Sequence, residues 1–383
     1  MAVTTGTKPK NASVNAPNDS EPEDVGLESA NQWRLMWLKF KRHRLALISL
    51  IVIALFYIVA LFCEFFAPTT TSEFWREYVY APPQRLQLVH EGGFLLHVNG
   101  YDFERDPRSF AKTWSLDKEQ IIPVGFFVKG EPYKLWGFIP GNRHFIGPIE
   151  PGEPFFLWGS DKSGRDIFSR NIYSSRISLT IGLVGVAISV LLGIFLGGLS
   201  GLFGGWVDNV LQRFVEVVMS IPTLPIWIAL AAMVPLSWSP ARVYFIISLI
   251  VSAFGWTGMA RVVRSKFLSL REQDFVIAAK LDGVGQNRLI FKHMLPSFYS
   301  HIIASLTLAV PYMIIGETAL SFLGLGLRAP VVSWGVLLKD VQQVAVLATS
   351  PWLLLPALSV VTVVLAFNFM GDGLRDAADP YAH

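Results

Sequence analysis

Residues 177–202 read ISLTIGLVGVAISVLLGIFLGGLSGL, a run with no charged side chain. It exceeds the roughly 20 apolar residues that carry a helix across the hydrocarbon core of a bilayer. A core helix of a soluble domain rarely needs so many in a row. Along the run Gly185, Ser189, Gly193, Gly197 and Gly201 recur at every fourth position, and Gly205 follows at the same interval. On one continuous helix that spacing lines up a groove of small residues, drifting slowly because four exceeds 3.6, where another backbone packs closely. A tight helix pair, static or sliding, is expected there.

Five more apolar windows flank this one, at about Leu45–Phe66, Val217–Leu236, Val243–Met259, Ser300–Leu323 and Ser350–Phe369. The window 217–236 is the least regular, because Pro222, Pro225 and Pro235 interrupt it; proline is tolerated in a span when neighbours satisfy the freed carbonyls. Charged residues make up 16% of the chain, against about 25% in soluble domains. The expected fold is an all-α polytopic membrane protein of six transmembrane helices carrying an inserted domain.

Basic residues orient the spans. Lys39, Lys41, Arg42 and Arg44 precede the first window, within the aromatic and basic stretch 33–44, which suits a membrane interface. The connection between the fourth and fifth windows carries Arg261, Arg264, Lys266, Arg271, Lys280, Arg288 and Lys292. Four crossings separate the two regions, so both face the cytoplasm, and both termini are expected inside. The segment from Ala67 to Arg176 then faces the periplasm. Its runs GFLLHV (93–98) and IIPVGFFV (121–128) are strand-like and bounded by Gly, Pro and Asn, so a small mixed, β-containing domain is expected. The expected division is a disordered cytoplasmic tail at 1–31, an interfacial segment and first helix at 32–66, the periplasmic insertion at 67–176, a five-helix core at 177–371 and a cytoplasmic tail at 372–383. The first of these is too polar to bury a core and lacks the apolar centre and cleavage site of a signal peptide.

Several functions lose support. No GxxxxGK[ST] is present, and GSDKSGRD at 159–166 lacks the glycine-rich cradle before a Lys-Ser pair. GxSxG, HExxH and paired cysteines are also missing. The seven histidines are scattered and Cys63 is the single cysteine, so no metal and no cofactor are expected. No basic face interleaved with aromatics supports nucleic-acid binding. An ion-coupled carrier needs acidic groups in several spans and usually an inverted repeat, but only Glu64, Glu216 and Glu317 are available. A channel needs a filter-like segment or charged rings. The chain is not expected to be an enzyme; its energy comes from another chain or from a gradient.

The fourth-to-fifth connection contains DFVIAAKLDGVGQNRLIFKHMLP at 274–296. A short helix over Phe275–Leu281 is predicted, with Ala278 and Ala279 allowing close approach of another surface. Gly283 and Gly285 then supply a turn with positive φ, Gln286–Met294 resumes as a basic helix, and Pro296 precedes the next span. On residues alone, a docking loop and a loop that merely satisfies the positive-inside rule are equally good readings.

This segment resembles the EAA loop of ATP-binding-cassette import permeases, written E-A-A, three residues, G, nine residues, I-x-L-P. Ala278, Ala279, Gly283, Leu295 and Pro296 match at the right spacing; Ile277 stands where Glu is usual and His293 where Ile is usual. WGSDKSGRDIFSRNIYSS (158–175), GGWVD (204–208), ETALSFLGLG (317–326), SWG (333–335) and GDGLRDAADP (371–380) are similar to the peptide-uptake branch of that family. The resemblance implies a second, homologous permease subunit, two ATP-binding-cassette ATPases docked through Phe275, Ala278, Ala279, Asp282 and Gly283, and a periplasmic substrate-binding protein, in a bacterial inner membrane. The Ile277 departure weakens any expected salt bridge to the ATPase. The long insertion resembles the Yej-type subgroup of longer permeases, implying a bulky cargo: an oligopeptide first, an oligosaccharide or opine-like solute second.

Glu317 falls near the outer end of the fifth window, where an ionisable group is costly unless paired or near water. A cargo contact and a structural hydrogen bond between helices are the two readings, and membership of a motif shared by permeases with unlike cargo favours the second. His301, near the inner end, reads as an interface residue.

Overall fold

The computed structural model describes residues 32–378, apart from 91–92, 106, 108–111 and 286–287. The expected tail at 1–31 and the last residues of the 372–383 segment lie outside the described residues. Helix α1 (Gln32–Arg42) meets α2 (Arg44–Leu61) at His43, whose ring accepts the Ala46 N–H at 3.1 Å and caps α2. Within α1, Phe40 is buried while Trp37 and Leu38 stay exposed, and Lys41 lies 5.3 Å from the Trp37 ring centre. Along α2 the apolar side chains of Ile48, Ile51, Leu55 and Ile58 are exposed on one face, as a lipid-facing helix requires. A short turn, α3 (Cys63–Phe66), leads into the insertion.

The insertion is a four-stranded antiparallel sheet in the order β1-β2-β3-β4, formed by Gln87–His90, Gly93–Arg105, Lys112–Leu135 and Ile139–Pro148. It is therefore simpler than the mixed domain expected: successive hairpins pair, with Val98 opposite Ile122 and Phe126 opposite Ile146. Val98, Ile122 and Val124 pack with Phe155 into a core separate from that of the helices. The sheet is tied to the end of α2 by the Trp136 indole N–H, which donates to the Leu61 carbonyl at 2.8 Å, and the same helix end is held by Arg176. Arg176 holds both Glu64 carboxylate oxygens at 2.6 Å and donates to the carbonyls of Ala60 and Leu61, which the helix end leaves unpaired.

The helical core follows. Asp166 accepts the N–H groups of Phe168 and Ser169 and starts α4 (Ile167–Phe203). The GSDKSGRD stretch is a turn folded around Asp161, whose carboxylate accepts from the Ser163 and Arg165 amides and from the Arg165 and Arg170 guanidinium groups. Then come α5 (Gly205–Ser220), α6 (Thr223–Ala232), α7 (Pro240–Leu270), α8 (Asp274–Leu281), α9 (Tyr299–Phe322), the short α10 (Trp334–Leu338) and α11 (Val344–Thr349), and α12 (Leu355–Ala378). Among the described residues, five helices are long and apolar enough to span, and α5 with α6 passes the same test only as a pair bent by 81°. The expected third span is thus not one helix. Pro222, which has no N–H to donate, sits at the break, and Ile221 before it is extended. Gly205 also departs from expectation: Gly204, at φ +63°, ends α4, so Gly205 opens the next helix instead of extending the stripe.

Candidate functional site

The α8 helix is solvent-facing along much of its length. Phe275, Ile277 and Leu281 are 44%, 43% and 83% exposed, and Ala278, Asp282 and Gly283 are exposed beside them. Val276 and Ala279 are buried against the core. Ala279 therefore supports the helix from behind and is not on the open face. Helical geometry explains it: positions 276 and 279, three apart, share one side, while 277 and 281, four apart, share the other. The Asp282 and Gly283 amides bond to the carbonyls of Ala278 and Lys280 at 2.9 and 3.1 Å and close the helix. Gly283 is left-handed (φ +72°), and nothing lies within 4 Å of where its Cβ would stand. Gly285, expected to share this role, is not left-handed. From Leu289 to Met294 the chain winds as a wider π-helix, with Leu289 and Met294 buried.

The small-residue stripe lies on α4 and faces α7 and α9. A Cβ on Gly193 would stand 2.6 Å from Met259 Cβ, one on Gly197 2.9 Å from Ala260 Cα, and one on Gly201 2.5 Å from Phe267 Cβ, all on α7. Ser189 donates to the Ser252 carbonyl at 3.0 Å on the same helix. Gly185 faces Met313 of α9 instead, its absent Cβ 3.2 Å from the sulfur. The stripe serves two neighbours in succession, as a four-residue spacing drifting around a 3.6-residue helix requires. Gly205 has nothing within 4 Å of its Cβ direction.

Asp208, in the GGWVD turn, accepts two hydrogen bonds from the Arg264 guanidinium at 2.5 Å and a third from Ser200. In the sequence Arg264 reads only as an orienting charge, because nothing local pairs residues 56 apart.

Glu317 is fully buried. Its Oε1 accepts from Ser321 and Ser333 at 2.7 Å each, and Oε2 from Ser178 at 3.3 Å. Each serine hydroxyl in turn accepts a backbone N–H, from Leu327, Val336 and Trp334 respectively. One carboxylate thereby organises the ETALSFLGLG and SWG turns and joins them to α4.

A cavity of about 490 Å³ opens among α4 to α7 and α9, lined by Val218, Thr223, Phe254, Thr257, Ser305 and Tyr312. Its walls are mostly apolar with scattered hydroxyls.

Residues 189–382 match the family model described as the binding-protein-dependent transport system inner membrane component. Residues 31–83 match the N-terminal transmembrane domain of oligopeptide transport permease C. The dipeptide transport system permease protein DppC of Alkalihalophilus pseudofirmus is 32% identical over 365 residues, covering 95% of this chain and 94% of that one. The oligopeptide transport system permease protein OppC of Bacillus subtilis is 29% identical over 366 residues, 95% of each chain. OppC of Haemophilus influenzae is 41% identical over 223 residues, 58% of this chain and 69% of the relative. The helical membrane core, the α8 loop and this coverage of nearly the whole chain agree: the protein belongs to the family of binding-protein-dependent transport system inner membrane components.

Proposed function

We propose that this chain is a membrane-spanning subunit of an ATP-driven importer that moves oligopeptides from periplasm to cytoplasm by alternating access. The observation that carries the reading is α8: a short helix closed by Gly283 that leaves Phe275, Ile277 and Leu281 uncovered beside Asp282. Exposed side chains of this size at one helix end form the kind of apolar centre that protein interfaces bury. An ATPase subunit fills that role, and at Ile277 the contact is apolar in place of a salt bridge.

In this reading the chain makes six crossings, the bent α5–α6 pair counting as one, with both termini cytoplasmic in a bacterial inner membrane. The sheet then faces the periplasm, where a substrate-binding protein delivers cargo. A second, homologous permease covers the side on which the α4–α7 and α9 cavity opens, and cargo passes between the two. Its apolar walls with scattered hydroxyls suit side chains of varied chemistry. Movement of α8 by the ATPase reaches the pathway through α7, whose last residue, Leu270, lies just ahead of Asp274.

Disulfide trapping tests the dock. Leu281→Cys should cross-link to an ATPase subunit bearing a cysteine in its permease-facing groove, with trapping that changes between nucleotide states. Efficient trapping by the sheet-side residue Glu119→Cys and none by Leu281→Cys would reverse the proposed orientation.

A further inference from the structure

The turn between β3 and β4 places large apolar groups where a soluble hairpin would carry polar ones. Trp136, Phe138 and Ile139 are 42%, 69% and 42% exposed. Trp136 and Gly137, the central residues of the turn that the Phe138 N–H closes on the Leu135 carbonyl at 3.2 Å, are both left-handed, at φ +54° and +86°, a pair of conformations that favours Asn-Gly. A bulky residue at positive φ is an outlier held only by its surroundings. The strain at Trp136 is offset by contacts at the end of α2: its indole N–H donates to the Leu61 carbonyl at 2.8 Å, and its ring lies 5.8 Å from that of Phe62.

Leu61 is the last residue of α2, an 18-residue helix of mean hydropathy 2.6. At 1.5 Å per residue such a helix covers about the thickness of a bilayer's hydrocarbon core, so its end marks the interface. The exposed side chains of Leu55, Ile58 and Leu61 lie along α2 up to the end that Trp136 contacts. Lys134 and Arg143, on the strands just behind the tip, are exposed cations. Aromatic rings at headgroup depth with cations behind them are the arrangement that holds proteins at a membrane interface. The far end of β3, by contrast, carries exposed polar residues such as Lys118 and Glu119.

We propose that the β3–β4 tip, Trp136–Ile139, is immersed in the lipid headgroup layer beside the end of α2, so that the sheet leans on the bilayer. This rests on the membrane placement of α2 and is independent of cargo and of the ATPase.

The test uses spin labels on single cysteines in the Cys63→Ser background, in the assembled transporter reconstituted into nanodiscs of phosphatidylethanolamine and phosphatidylglycerol. Labels at Phe138→Cys and Ile139→Cys should collide more with oxygen, which concentrates in lipid, than with a water-soluble nickel chelate, as a label at Ile58→Cys does. A label at Glu119→Cys should show the reverse. A tip label as open to the nickel chelate as that at 119 would overturn the proposal by placing the tip in water. Inaccessibility to both reagents would overturn it too, by showing that protein covers the tip.

Discussion

Arg264 on α7 grips Asp208 at the start of α5 through two nitrogens, each 2.5 Å from a different carboxylate oxygen. The pair locks the turn after α4 to the helix that leads into α8. A two-point guanidinium–carboxylate bond is stronger and more directional than a point contact, which matters if α7 transmits movement from α8.

Arg264→Lys keeps the charge and loses the fork. It should therefore lower uptake while leaving ATP hydrolysis high, because the ATPase would turn over without moving the pathway. In a double-mutant cycle with Asp208→Ala, the coupling energy should be about 1 kcal/mol, as the Arg264 side chain is partly exposed. Additive effects of the two substitutions would show that the pair transmits nothing.

The glycine stripe gives a second prediction. Gly197→Leu and Gly201→Leu should sharply reduce the yield of folded protein, because backbone of α7 occupies the space and overpacking costs about 1–3 kcal/mol per site. Leu191→Ala, at a side chain 70% exposed, should leave yield unchanged. Equal tolerance on both faces, read from detergent-extracted protein by size-exclusion chromatography, would refute close packing at the stripe.

Glu317 separates structural from cargo-contact roles. Glu317→Gln keeps one oxygen to accept from Ser321 and Ser333 and gains an NH2 that can donate to the Ser178 hydroxyl, so it should retain most transport. Glu317→Ala strands three buried hydroxyls, each unsatisfied group costing about 1–3 kcal/mol, and should lower the amount of assembled complex. Normal assembly of the Ala variant with an altered substrate profile would assign Glu317 to cargo instead.

The sheet end of the molecule offers a pH test. Burial, reinforced by the nearby Glu131 carboxylate, pushes the Glu73 carboxyl up to about 7. A pKa raised in the folded state means that folding takes up a proton, so this group's contribution to stability falls as pH rises from about 4.5 to about 7 and is level above that. Glu73→Gln, which mimics the neutral form, should melt like the parent protein at pH 4.5 and above it at pH 8. A constant difference across that range would place the Glu73 titration elsewhere.

Much of the architecture was legible because its causes are local. The charge-free run at 177–202 lies within one helix, runs 93–98 and 121–128 lie in strands, and the 274–281 helix ends at a left-handed Gly283. What was not legible depends on distant partners. Ser178 is 139 positions from Glu317, and no periodicity links them. Pro222 marks the place of the break between α5 and α6, but nothing local specifies its 81° angle. Gly205 fits the four-residue spacing, yet left-handed Gly204 and Gly205 turn the chain away. Ala279 looked equivalent to Ala278 because the motif treats them alike; which one faces inward is decided by the core beneath Val276.

In the proposed mechanism, an ATPase docked on α8 drives transport by this subunit. The most direct measurement is peptide uptake into proteoliposomes containing the assembled transporter and its binding protein, with ATP available to the ATPase side and ion gradients collapsed by ionophores. Uptake should depend on ATP, be unaffected by ionophores, and be abolished by Leu281→Asp or Gly283→Asp while membrane insertion stays intact. Uptake that follows an ion gradient without ATP, or that survives both substitutions unchanged, would contradict this mechanism.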